Sequence, residues 1–317
     1  MKKIAITGAT GAIGMALIKR AITNSTKVVV FIRKESVRAD RIPDNELITK
    51  VFCSLDEMNN IEVNDDLGEC DAFYHFAWEG TSGASRNDLY MQNRNVKHAL
   101  DAVRLALRMG CRVFVGAGSQ AEYGRVAGIL RPDTPCNPEN GYGIAKLCAG
   151  HMTRLLCEEV GLSHIWARIL SVYGPYDNER SMMISTIRTL LAGDRPLLTK
   201  GEQQWDFLYS EDAADIMYMV AQKVINESQD VRVSKLYCVG NGKALPLKDY
   251  IDMIKNEINP AANLGYGEIP YSDKQVMHLE ADISSIVDDI GYAPKTDFLT
   301  GAKKTIDWCK ENYLGNR

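Results

Sequence analysis

Tyr142 and Lys146, in the run Asn140-Gly141-Tyr142-Gly143-Ile144-Ala145-Lys146, are the residues of this chain best suited to move a proton. On a helix, positions i and i+4 share a face, so an ammonium at 146 stands near a phenol oxygen at 142. A neighbouring cation favours phenolate and lowers the tyrosine pKa from its reference of about 10. The pair can then exchange a proton with a substrate oxygen near neutral pH. A surface tyrosine and a solvated lysine give the same spacing, so the pair carries weight only in company. Ser119, in Gly116-Ala117-Gly118-Ser119-Gln120-Ala121-Glu122-Tyr123-Gly124, supplies it. This hydroxyl is expected just past an apolar strand at Arg112–Gly116, the end of a parallel strand where ligands are met.

A third element stands at the N-terminus, where Ile4–Thr7 is apolar and Gly8-Ala9-Thr10-Gly11-Ala12-Ile13-Gly14 follows. Gly8 allows a tight turn, Gly11 lets backbone approach a pyrophosphate, and Gly14 lets the next helix pack closely on the strand. The helix N-terminus offers unpaired N–H groups and a positive dipole end to an anion. Met15–Ile22 reads as that helix and Lys27–Ile32 as a second buried strand. Together they make a βαβ unit of about 30 residues, the length this turn requires.

Such elements need a sheet to position them, and the chain provides one. Val51–Cys53, Asp71–Ala77, Arg112–Gly116, His164–Leu170 and a segment near Lys235–Val239 read as further strands. Between them Asp88–Met109 and Gly143–Val160 read as helices, with Val96, Leu100, Val103 and Leu107 at helical spacing. This alternation predicts an α/β fold with a doubly wound parallel sheet. From about Gly174 the segments shorten and prolines recur at 175, 196, 246, 260, 270 and 294. That texture predicts a smaller α+β C-terminal substrate-binding lid over the strand ends. The expected division is a dinucleotide-binding part at 1–172 with a return near 208–240, and a substrate part at 173–207 and 241–317.

At 317 residues, 45% hydrophobic and 25% charged, the chain is typical of globular proteins. A net charge of −4 with scattered lysines and arginines gives no reason to expect nucleic acid. No apolar run approaches the roughly 20 residues that span a bilayer, and no secretory segment opens the chain. Eight cysteines without a CxxC pair read as reduced thiols of a cytoplasmic protein, and five histidines show no metal-ligand spacing.

Taken together, the chain resembles the extended short-chain dehydrogenase/reductase family, the NAD-dependent epimerases and dehydratases that act on nucleotide sugars. The resemblance rests on the turn Thr7–Gly14, the strand Tyr74-His75-Phe76-Ala77 and Asn95-Val96 on the following helix. It extends through Ser119 with Tyr123-Gly124, Tyr142 with Lys146, and Val172-Tyr173-Gly174-Pro175. Further on, Trp205-Asp206-Phe207-Leu208-Tyr209-Ser210-Glu211-Asp212-Ala213, Asp282 and Gly291-Tyr292-Ala293-Pro294 match its C-terminal signatures. The resemblance implies a Rossmann fold. It makes Tyr142 the acid/base, Lys146 a ligand of the nicotinamide ribose, and Ser119 a partner of the reacting carbonyl or alcohol. Asn95 would hold the active-site helix and a proton-relay water. The implied dinucleotide contacts are Gly8, Thr10, Gly11, Ala12, Ile13, Gly14, Arg33, Lys34, Ser36, Ser54, Leu55, Phe76, Ala77, Tyr142 and Lys146. Those to substrate are Trp78, Gln120, Ser171, Arg180, Trp205 and His278.

The end of the second strand, Phe31-Ile32-Arg33-Lys34-Glu35-Ser36, lacks at the strand end the acid that receives a ribose 2′-OH in NAD sites. Arg33, Lys34 and Ser36 suit a 2′-phosphate instead, so NADP(H) is the expected cofactor, with NAD the alternative. The dehydratases of the family carry an Asp-Glu pair after the catalytic Ser or Thr. Here those positions are Gln120 and Ala121, which disfavours dehydration. The expected reaction is hydride transfer at the 4-keto or 4-hydroxy carbon of a nucleotide-linked deoxyhexose, with CDP or dTDP as the carrier. A 4-epimerase with tightly bound NAD is the alternative, and a non-catalytic cofactor sensor the minor one.

The family's Asn, Arg and Arg at three anion-binding points are replaced by Ser171, Trp205 and His278, with Arg180, Arg188, Arg195 and Lys200 as candidate substitutes. The helices Asp88–Met109 and Lys146–Val160 are expected to pair with their copies in a homodimer.

Overall fold

The computed structural model describes residues 1–227 and 232–314. The strands are β1 (Lys3–Thr7), β2 (Lys27–Ile32), β3 (Ile48–Phe52), β4 (Ala72–His75), β5 (Val113–Ser119), β6 (Ser163–Ile169), β7 (Ser171–Tyr173), β8 (Gln204–Trp205), β9 (Phe207–Tyr209), β10 (Ser234–Val239), β11 (Leu245–Pro246) and β12 (His278–Leu279). The helices are α1 (Ala12–Thr23), α2 (Leu89–Arg108), α3 (Gly141–Val160), α4 (Met182–Leu191), α5 (Ser210–Glu227), α6 (Leu247–Ile258), α7 (Ser284–Ile290) and α8 (Phe298–Cys309).

Strands whose apolar residues run without alternation need cover on both faces, and they receive it. Seven of them form one sheet in the order β10-β6-β5-β4-β1-β2-β3, every neighbouring pair parallel. Within β1, Ile4 and Ile6 join the core under α1 and α5 with Leu17, Val28, Val30 and Met217. Ala5 points to the opposite layer, where α2 and α3 pack with Val29, Phe73, Phe114 and Leu105. The strand order reverses between β1 and β4, the place where open α/β sheets leave a crevice for ligands.

The sequence-predicted strand at Arg112–Gly116 runs on to Ser119. Its glycines serve clearance rather than a loop: a Cβ at Gly116 would stand 2.3 Å from the Trp166 ring, and one at Gly118 2.4 Å from its Nε1. Trp166 of β6 thus lies flat across β5.

A third core joins α4, α6 and α8 through Tyr173, Ile187, Phe207, Tyr250, Ile254 and Ile306. The rings of Tyr250 and Phe298 stand 4.4 Å apart within it. Two small sheets, β11-β8-β12 and β7-β9, connect this core to the strand ends. Asp206, between β8 and β9, fastens the connection. Its buried carboxylate accepts hydrogen bonds from the main-chain N–H of Asn241, Gly242 and Ala281 at 2.6, 3.0 and 3.0 Å.

Candidate active site

The β1–α1 turn is shaped by contacts that admit only glycine at two of its three positions. Gly8 has φ +71°, and a Cβ there would fall 2.6 Å from the Ala77 nitrogen. A Cβ on Gly14 would fall 2.6 Å from both Ala9 Cα and the Gly8 oxygen. Gly11 differs, since the nearest protein atom to its Cβ position is the Gly8 oxygen at 3.8 Å. No protein contact demands a glycine at 11; its bareness keeps space open in the crevice. Gly11 precedes α1 without any side-chain cap, so the first N–H groups around Ala12 and Ile13 are free for an anion.

The crevice over this turn has a volume of about 710 Å³ and is lined by Gly8, Thr10, Gly11, Arg33, Ser36, Arg38, Leu55, Phe76, Ala77 and Trp78 among others. These residues fit a dinucleotide: a bare backbone cradle for phosphates and a cationic edge at the end of β2. Glu35 also lines that edge, whereas Lys34 and Ser54 lie outside the lining. Ser54 instead bonds Glu57 in a capping box at the start of a short turn. Arg38 was not anticipated from the sequence. Beneath the crevice, Thr7 Oγ1 and His75 Nδ1 lie 2.9 Å apart. Burial lowers the His75 pKa to about 3, so that imidazole is neutral.

Ser119 ends β5, and its backbone is held by Glu122. The buried Glu122 carboxylate accepts from Ser119 N at 2.7 Å, Arg168 Nε at 2.7 Å and Trp166 Nε1 at 3.0 Å. With every direction occupied, Glu122 is a support for Ser119 and not a free acid. Asn140 caps α3 by accepting from Gly143 N at 2.8 Å, which fixes the first turn of the helix where Tyr142 stands. The Ser119 hydroxyl lies near enough to the Tyr142 phenol to pull its pKa down. Lys146 lies one turn on, buried, its Nζ donating to the Ala117 carbonyl at 2.6 Å and resting 3.8 Å from the centre of the Trp78 ring. Serine, phenol and ammonium therefore meet beside the crevice.

The electrostatics differ from the expectation in one respect. Burial raises the Tyr142 pKa, against the Ser119 hydroxyl and the charge of Arg86, which pull it down. Lys146 stands 5.8 Å from the phenol ring centre, while the Arg86 guanidinium stands at 4.6 Å. Burial also lowers the Lys146 pKa to about 7, with the Glu122 charge opposing the drop. The lysine is thus only partly charged at neutral pH, and the nearest cation to the phenol comes from elsewhere. Nothing in the spacing of Ser85-Arg86-Asn87 marks this arginine.

Asn95 is also placed differently from the expectation. Its carboxamide donates to Glu79 O and accepts from Glu79 N, both at 3.0 Å, so it pins the loop after β4 rather than α3. Trp78 Nε1 donates to Gln92 at 2.8 Å, and the indole meets Tyr142 edge-on. Arg41, unforeseen, reaches from the segment after β2 to the carbonyls of Thr10 and Tyr176 at 3.2 and 3.4 Å, tying the glycine turn to the C-terminal region.

A second cavity of about 420 Å³ opens between β7, α4 and β8. Ser171, Trp205, Met182, Leu198, Phe207 and Ile251 line it, with Asp177 and Gln203, and no lysine or arginine is among its lining residues. Trp205 Nε1 donates to Ser171 Oγ at 2.9 Å, so two predicted substrate residues do converge. Burial raises the Asp177 pKa to about 6. The remaining predicted contacts lie outside both cavities: Arg180 is exposed, His278 pairs with Glu280 at 3.0 Å, and Gln120 takes part in neither lining.

A doubly wound parallel sheet with a glycine turn after its first strand defines an α/β protein of the Rossmann class. The chain belongs to the NAD dependent epimerase/dehydratase family, whose model matches residues 4–234. It is 25% identical over 355 residues to a dTDP-glucose 4,6-dehydratase of Escherichia coli, covering 99% of this chain and 94% of that one. Its fold is similar to that of a UDP-N-acetylglucosamine 4-epimerase from Methanobrevibacter ruminantium in complex with UDP-N-acetylmuramic acid, with a TM-score of 0.85, 20% identity, and 100% and 99% of the chains covered. A UDP-glucuronic acid 4-epimerase from Bacillus cereus in complex with NAD gives a TM-score of 0.84 at 19% identity, covering 99% and 98%. Among the described residues no helix is long and apolar enough to cross a membrane.

Proposed function

We propose that the protein is an NADP-dependent oxidoreductase acting at the 4-keto or 4-hydroxy carbon of a nucleotide-linked deoxyhexose. The observation that carries this reading is the meeting of Ser119, Tyr142 and Lys146 beside a crevice whose far edge holds Arg33, Ser36 and Arg38. Guanidinium groups there suit a 2′-phosphate through paired N–H donors. A bound nicotinamide would supply or accept the hydride. Tyr142 would give the substrate oxygen its proton, and Ser119 would hold that oxygen and hydrogen-bond the phenol. Lys146 would face the nicotinamide ribose. Residues 1–172 with the return near 208–240 would hold the dinucleotide, and 173–207 with 241–317 the sugar nucleotide.

The E. coli dehydratase among the relatives does not carry its reaction over to this chain. Gln120 and Ala121 follow Ser119, and neither transfers protons. Epimerisation is the second reading, supported by the family description and by the 4-epimerases of similar fold. On α2 and α3, Leu107, Ile144, Met152 and Leu155 are exposed, and we propose that they pair with a second copy.

The test is turnover of NADPH and NADH, in parallel, with a panel of 4-keto nucleotide sugars. NADPH consumption that falls about 10²- to 10⁴-fold in Tyr142→Phe is the expected result. A nicotinamide that survives dialysis and a net-redox-neutral conversion of 4-hydroxy sugars would replace the reductase by the epimerase. Cofactor binding without turnover, unaffected by Tyr142→Phe, would leave only a sensor.

A further inference from the structure

We propose that Arg86 is a positioning residue of the reaction, the permanent cation that favours the phenolate of Tyr142. The inference rests on the reading of Tyr142 as acid/base, and it concerns which cation serves that phenol.

The guanidinium stands 4.6 Å from the centre of the Tyr142 ring. This is within the range in which a cation is attracted to an aromatic face. It is held there by a turn fixed on both sides of it. Ser85 O accepts from Gln92 Nε2 at 3.0 Å, and Asn87 Oδ1 accepts from Gly141 N at 3.0 Å, directly before Tyr142. Asp88 then caps α2 through Met91 N at 3.0 Å. The turn is therefore docked on the start of the catalytic helix. Gly141 makes the approach possible, since a Cβ there would stand 3.0 Å from Arg86 O. Among the described residues no hydrogen bond or ion pair to the guanidinium is present, so no protein counter-charge offsets it.

The other groups facing Tyr142 supply that charge only in part. Ser119 is neutral and Trp78 presents an indole edge. Glu122, across the site, opposes the phenolate, but it is paired with Arg168 at 2.7 Å. Lys146, on the same helix, has a pKa lowered to about 7 and directs its proton to Ala117 O. Burial works against the lysine's charge, whereas a guanidinium stays protonated at any working pH, so Arg86 carries in full a charge that Lys146 carries in part.

The experiment labels the full-length protein with 3-fluorotyrosine, whose phenol titrates below that of tyrosine, and follows each ring by ¹⁹F NMR against pH. Tyr142→Phe assigns the signal. In Arg86→Gln the Tyr142 midpoint is expected to rise by about one pH unit, as removal of a nearby opposite charge predicts. Arg86→Lys should restore at least half of that rise. The pH profile of NADPH turnover should move in the same direction, with NADPH affinity changed less than twofold. Arg86→Met, which keeps the aliphatic stem, is the second variant should Arg86→Gln lose the turn, and it must move the midpoint likewise. A midpoint unmoved in the folded variants, or a rise that lysine does not reverse, would overturn the proposal. Unchanged turnover in Tyr142→Phe would remove the acid/base reading instead, and the catalytic consequence with it. The NMR midpoint is read without turnover, so the two failures are distinguishable.

Discussion

The crevice and the second cavity are walled with different material. At the β1–α1 turn the surface is main chain: Gly8 and Gly14 are forced by backbone contacts of 2.6 Å, and Gly11 is bare toward open space. At β7, α4 and β8 the surface is side chain: Trp205 on Ser171, with Met182, Leu198 and Phe207 around it. Backbone recognition needs few residue types at fixed short spacing, because the geometry lies in the turn and the helix N-terminus. Side-chain recognition can draw on any position that the fold brings together. The two walls should therefore respond differently to substitution.

The largest effect is expected in neither wall but at the support of Ser119. Glu122 holds Ser119 on one side and Arg168 and Trp166 on the other, all buried. Glu122→Gln leaves the Arg168 guanidinium buried without its counter-charge, a change that costs about 3–5 kcal/mol. Urea unfolding should show a lower midpoint with an unchanged slope. A loss under about 1 kcal/mol would mean that the ion pair is not the support described, by the same reasoning on buried pairs.

The same contrast explains how much the sequence revealed. The strands of the large sheet were legible as local apolar runs, the helices α1, α2 and α3 as local apolar stretches at helical spacing, and the glycine turn by its spacing. The Tyr142–Lys146 pair was legible as a helical i, i+4 spacing, and the small sheets were not, having two or three residues each. Arg41 and Arg86 were hidden for a different reason. Each acts on a segment far along the chain, Tyr176 in one case and Tyr142 in the other, and a single arginine leaves no pattern. The direction of the Tyr142 shift was missed because a helical spacing places Lys146 but does not say that it is buried.

Within the backbone wall, two glycines separate stability from binding. Gly14→Ala puts a methyl group 2.6 Å from backbone atoms that cannot rotate away, and overpacking of that kind costs about 1–3 kcal/mol. Gly11→Ala meets nothing nearer than 3.8 Å, and its φ of −89° suits alanine, so thermal stability should hold or rise slightly. The methyl would instead occupy the phosphate cradle, lowering NADPH affinity at least tenfold, or about 1.4 kcal/mol. Fluorescence titration with NADPH and a melting curve measure the two properties on the same sample. If Gly11→Ala binds NADPH as the parent protein does, the cradle is not where the pyrophosphate lies.

In the side-chain wall the expected change is smaller and falls on the other ligand. Trp205→Phe keeps an aromatic ring in the second cavity but removes the 2.9 Å bond from Nε1 to Ser171 Oγ. A neutral hydrogen bond of this kind contributes about 0.5–1.5 kcal/mol. Ser171 is half-buried, and water replaces part of what it loses. The KM for a sugar nucleotide should therefore rise by roughly two- to tenfold, with kcat little changed, the pattern of an interaction made equally in ground and transition states. NADPH affinity should not move, because no atom of the indole borders the crevice over the β1–α1 turn. A fall in NADPH affinity with KM for the sugar unchanged would mean that the second cavity belongs to the cofactor.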